Sequence, residues 1–155
     1  MAGNAPEIRT ILAPLAGGGI LLPNNVVAEV VGWSEPIEFN HAPGWLLGEF
    51  EWQDWQVPVI SFALLSGVAK ADPAGTGSRI LIIKTLSDST SIVYLGIHIR
   101  GLPKLVTLTP DSLETTADQP QSSGVFSRVR LDGQEALIPE LGELTELVEQ
   151  AIHSR

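Results

Sequence analysis

The 155-residue chain has no cysteine, one methionine and one tyrosine, and its nine lysines and arginines are outnumbered by 18 aspartates and glutamates. Without cysteine there can be no disulfide, no thiolate nucleophile and no cysteine-ligated metal. A formal charge of −9 repels phosphate backbones and anionic lipid, so neither nucleic acid nor a membrane surface is expected as a partner. The charge is read as a means of staying soluble. Also missing is any apolar run approaching the ~20 residues that cross a bilayer, so direct membrane insertion is not expected. The apolar stretch Thr10–Leu15 is broken by Pro14 and followed by Gly17, Gly18 and Gly19. It does not read as a secretory leader, and a cytoplasmic location is expected.

Chemistry is scarce as well. The histidines, His41, His98 and His153, have no second histidine or carboxylate at metal-ligand spacing. No metal and no cofactor are implied. His98 stands in an apolar strand, points to the face opposite Ile97 and Ile99, and is expected at the surface or a barrel mouth. No Gly-x-Ser-x-Gly elbow is present, and the three consecutive glycines precede neither a lysine nor a helix start. Glu49 and Glu51 share one side of a strand, where solvated acids explain them as well as a glycosidase pair. No catalytic residue is assigned, and an enzyme is not expected.

What is present suits a packed β-rich protein. Hydrophobic residues make up 44% and charged residues 17%, enough apolar matter for a core. Fifteen glycines and 11 prolines punctuate short apolar runs, the pattern of many strands and turns. Residues 1–18 read as a flexible N-terminal arm, and residues 19–155 as a single domain. Strands are expected on both sides of Asn24-Asn25, at Glu49–Trp52, and over Trp55–Leu65 with Pro58 marking an edge or a bulge. Further strands are expected at Arg79–Lys84, Ile92–Arg100, Lys104–Leu108, Val125–Leu131 and Gln134–Ile138. Polar turns separate them at 87–91 and 109–123, and Asp132-Gly133 signals a hairpin. Leu141, Leu144, Leu147, Val148, Ala151 and Ile152 recur at helical spacing, with Glu140, Glu143, Glu146 and Glu149 opposite and Arg155 at the end. The sum is about nine short strands and one C-terminal amphipathic helix.

Trp45, Trp52 and Trp55 fall within eleven residues. Such a cluster can be core, an exposed protein-binding edge, or a sugar-stacking surface. The last of these would make the chain a carbohydrate-binding or enzymatic β-barrel.

The order of parts resembles the CheW family. Val27-Ala28-Glu29-Val30 matches the family's Val-x-Glu-Ile-like step, Ala42-Pro43 and Leu47-Gly48 close the following loop, and Val57-Pro58-Val59-Ile60 matches its Val-Pro-Val-Ile strand. Arg79–Lys84 and Gly96-Ile97-His98-Ile99 stand in the places of the next two strands. Leu105–Leu113 and Ala136–Leu144 resemble the later segments, so the likeness runs from about residue 19 to 152. It implies two intertwined five-stranded SH3-like barrels with a C-terminal helix. It also implies a non-enzymatic scaffold that couples the cytoplasmic tip of a chemoreceptor to the regulatory domain of a CheA-type histidine kinase, recruited to membrane-bound receptor arrays. The candidate interface is Val27, Glu29, Gln53, Asp54, Trp55 and Ile99, with Val27 and Glu29 on the receptor-facing groove. Three places in the chain depart from the family pattern. Trp52-Gln53-Asp54 replaces a Leu-Arg-Gly hairpin, Ser61 replaces an aspartate, and Arg100 replaces an acid. The altered charge suits an adaptor of a chemosensory system controlling type IV pili and twitching motility.

Overall fold

The computed structural model describes residues 7–85, 91–109, 113–115, 126–131 and 133–153. Most of the expected turn at 87–91, the bulk of 109–123, Val125, Asp132 and Arg155 lie outside them.

Among the described residues eleven strands form two sheets, six in the first, one more than in either expected barrel, and five in the second. β1 (Ile8–Leu15) and β2 (Gly18–Pro23) begin the first sheet. A single 3₁₀ turn at Asn24–Val26 then moves the chain to the second sheet. That sheet holds β3 (Val27–Gly32), β4 (Leu46–Trp52), β5 (Trp55–Ile60), β6 (Arg79–Lys84) and β7 (Tyr94–Ile99), in the order β3-β6-β7-β5-β4. The chain then returns to the first sheet with β8 (Lys104–Leu108), β9 (Leu113–Thr115), β10 (Phe126–Leu131) and β11 (Gln134–Pro139), in the order β8-β1-β2-β11-β10-β9. The two units are therefore intertwined, as expected. Among the described residues the strand pairing of neither sheet closes into a ring. The five-stranded sheet nevertheless curls far enough for its two edge strands to touch: Trp52 Nε1 on β4 donates to Glu29 Oε1 on β3 at 2.8 Å.

Alternation along the strands sorts the apolar side chains into three clusters. Leu81 and Ile83 on β6 face the largest cluster, with Ala13, Leu15, Ile20 and Leu22 of the first sheet. Ile80 and Ile82 face the other way and meet Val57 and Val59 inside the curled second sheet. Leu21, Leu108, Val129, Leu131 and Ala136 form the matching cluster of the first sheet. With both faces covered, β6 and β7 read as continuous apolar runs and not as alternating ones. The C-terminal helix (Leu141–His153) lays Leu141, Leu144 and Val148 on the largest cluster. Glu140 caps it, its Oε1 accepting from the Gly142 and Glu143 N–H groups.

Two expectations are corrected here. Residues 8–15 of the expected arm are a strand between β2 and β8, with Ala13 and Leu15 in the main cluster. Pro14 is tolerated because β8 pairs only as far as Leu12, so a missing N–H on that side breaks no ladder bond. The expected strand at Trp55–Leu65 ends at Ile60, and Phe62–Ser66 is a short helix, α1. Ser61 caps it by accepting the Leu64 N–H at 3.1 Å, and Gly67 ends it in the left-handed conformation at φ +85°. The C-terminal helix is α2.

Candidate functional site

The hairpin between β4 and β5 turns through Gln53 and Asp54, which both have positive φ (49° and 67°). This is the backbone of a tight two-residue turn that usually takes Asn or Gly. Keeping other side chains there stores local strain. Trp52 and Trp55 face each other across the hairpin. Both meet Tyr94 edge to face, at 4.9 Å and 5.3 Å between ring centroids. Trp55 remains 44% exposed, while Trp52 is partly covered and held by Glu29. Trp45 lies elsewhere, packed against the main cluster. The three tryptophans therefore do not form one platform, which removes the feature behind the sugar-stacking alternative.

Of the six interface candidates, the structure brings Glu29, Gln53, Asp54 and Trp55 to one end of the curled sheet, all four exposed. Val27 opens β3 at the same end, where it pairs with Ile83, and is half-buried against the main cluster. Ile99 is fully buried. β7 is an inner strand between β6 and β5, so Ile99 packs inside the protein and is withdrawn from the candidate surface.

At the opposite end of that sheet lies a polar network that sequence reasoning missed. Asp72, from the loop between α1 and β6, has a side chain only 1% exposed. Its Oδ2 accepts from Ser61 Oγ at 2.6 Å and from His98 Nδ1 at 3.0 Å. Its Oδ1 accepts from Arg100 Nε at 3.0 Å and Nη2 at 2.8 Å. His98, expected at the surface, is fully buried, because its face of β7 points into the curled sheet under Trp33, 4.6 Å away between ring centroids. Burial is the main cause that lowers its pKa from 6.5; Asp72 pulls it up through its charge and hydrogen bond, and Arg100 pushes it down. The ring is therefore neutral, with Nδ1–H donating to Asp72 and Nε2 accepting from Ser78 Oγ at 2.8 Å. Ser78 Oγ in turn accepts the Gly75 N–H at 3.0 Å.

Ser78, His98 and Asp72 thus have the connectivity of a hydrolytic triad. Their burial gives them a different use. His98 has no exposed surface, Ser78 is 8% exposed, and the serine oxygen is occupied by the Gly75 amide. The network fastens the loop after α1 to the end of β7. Two of the three departures from the family pattern, Ser61 and Arg100, meet on this single carboxylate. No spacing rule joins residues 61, 72, 98 and 100; the paired departures were the available signal.

A groove of about 500 Å³ opens on the first sheet. Pro14 and Gly17–Gly19 form one wall, Gln134–Ala136 another, and Leu102 and Lys104 stand at its side. Among the described residues no three histidines or carboxylates gather as a metal site. Among the described residues no helix is long and apolar enough to cross a membrane.

The CheW-like domain model matches residues 9–149, and the chain belongs to that family. Its fold is similar to that of the scaffolding protein TtCheW from Thermoanaerobacter tengcongensis, whose crystal structure superposes with a TM-score of 0.71 at 18% sequence identity, covering 91% of this chain and 89% of that one. No curated protein matches the chain.

Proposed function

We propose that the protein is a non-enzymatic adaptor that couples a chemoreceptor tip to the regulatory domain of a CheA-type histidine kinase. The observation that carries this reading is the family match across both sheets. The exposed hairpin end supports it: Trp55 is pre-positioned by Tyr94, and an anchored aromatic with little freedom left to lose is the kind of group that dominates protein interfaces. The replacement of an arginine turn by Gln53 and Asp54 favours a pilus-type chemosensory pathway over a flagellar one, because reversed charge deters the usual partner.

The test is a pull-down with the tagged full-length protein from lysate of its own cells, with the captured proteins identified by mass spectrometry. Recovery of a CheA-type kinase and a chemoreceptor is expected, and Trp55→Ala should reduce it. Their absence at low salt would sink the adaptor reading.

A further inference from the structure

The seam between the two sheets passes beside the Asp72 network. The Arg100 N–H donates to the Pro14 carbonyl at 2.8 Å, tying the end of β7 to β1. Two residues beyond Arg100, Leu102 borders the groove of the first sheet. A side chain on Gly101 would touch Pro14 Cγ at 3.4 Å, so the two segments run closely past each other. On the loop's other side, the turn at Gly17 (φ +80°) presses on Val68; a Cβ there would sit 2.5 Å from the Val68 carbonyl oxygen. Farther along the loop, a Cβ on Gly77 would lie 3.6 Å from the Arg100 carbonyl oxygen. Two pieces of the groove wall, Pro14 and Gly17, therefore lie directly against Arg100 or against the loop that carries Asp72, and Leu102 follows Arg100 in the chain.

We propose that Asp72 is the clamp of this seam: by gripping Arg100, His98 and Ser61 at once it fixes the loop after α1 against β7, and so sets the shape of the groove on the other sheet. The four hydrogen bonds that meet on Asp72 join the loop to three separate side chains at one point. The loop's other ties are the Ala69 N–H to the Ala63 carbonyl, the local Gly75–Ser78 pair, the Ser78 Oγ–His98 Nε2 bond at 2.8 Å, and the packing of Val68 and Ala69 on the main cluster. Asp72 touches no groove residue itself, so it is a positioning residue. Arg100 serves both ends of the connection, with its guanidinium on Asp72 and its amide on Pro14. The inference does not depend on which partner, if any, enters the groove.

Amide hydrogen exchange on the full-length protein, wild type against Asp72→Asn, tests it. The Arg100 amide and the Gly17–Gly19 amides should exchange about tenfold faster in the variant, while those of β10 and β11 keep their wild-type rates. Arg100→Lys keeps the charge but cannot reproduce the two parallel donations, so it should give the same local pattern at smaller amplitude and serves if Asp72→Asn does not fold. Acceleration spread evenly over both sheets, or none at Arg100 and Gly17–Gly19, would overturn the clamp and reduce Asp72 to an ordinary buried ion-pair partner.

Discussion

Four hydrogen bonds converge on Asp72, and two of the three donor side chains are bonded on their far side as well, Ser61 Oγ accepting the Leu64 N–H and His98 Nε2 meeting Ser78 Oγ. Such a network has consequences for pH. His98 has a folded-state pKa below its ordinary 6.5, so between those two values the unfolded chain binds the extra proton and the folded chain does not. Its contribution is complete above pH 6.5 and declines as pH falls toward the folded-state value. Urea melts at intervals from pH 7.5 to 5 should show stability dropping on the acid side, and His98→Gln should flatten that slope. At the other end of the sheet the geometry is more forgiving. Glu29 is exposed and accepts one bond from Trp52, a contact of about 1 kcal/mol or less. Glu29→Lys is expected to lower the melting temperature by a few degrees at most, with Glu29→Gln close to wild type. If Glu29→Lys abolishes the folded state, the closing contact between the sheet's edges matters far more than one exposed bond.

Among the elements, β1 shows how local signals mislead. Proline and a run of glycines read as breakers, yet Thr10, Ala13 and Leu15 are buried, and β1 is bonded on both sides. Deleting residues 1–17 removes an inner strand of the six-stranded sheet. It is expected to give insoluble protein or loss of the cooperative melt; a soluble product with wild-type circular dichroism would show that β8 and β2 pair without it. Strands with strong apolar runs, β5 to β7, and the helix with its 3.6-residue period were legible because burial itself wrote the pattern. The exchange from strand to helix at Ser61 was obscured by the continuous apolar run Phe62-Ala63-Leu64-Leu65, although the serine cap and Gly67 were both in the sequence. At the candidate surface, Trp55 and its turn were legible as an exposed hairpin tip. Ile99 and His98 were not, because alternation tells which residues share a face but not which face a second layer will cover.

At the scale of the molecule, the largest cluster draws on both sheets and both helices. Neither sheet can keep its share of that cluster dry alone, so thermal unfolding should be a single transition. Tryptophan fluorescence reports mainly on the second sheet, where Trp33, Trp52 and Trp55 lie in or beside its cluster, and circular dichroism reports on both. Coincident midpoints by the two probes are expected, and separated midpoints would mean that the sheets melt independently. Leu144→Ala, at the centre of the helix's contact, should lower both midpoints together by removing about 2–5 kcal/mol.

The return of the chain to its first sheet also bears on how the protein is made. β2 ends at Pro23, and its neighbour β11 begins at Gln134, after the whole second sheet has been synthesised. At roughly 5–20 residues per second, the hairpin of β1 and β2 leaves the ribosome several seconds or more before that neighbour exists. During that interval Ile20, Leu21 and Leu22 are without much of their final cover. The second sheet, contiguous from Val27 to Ile99, has all its strands synthesised earlier, although its share of the largest cluster still awaits the first sheet. The nascent protein thus waits with a half-covered hairpin, and on the second sheet a matching apolar face, until the last strands leave the ribosome.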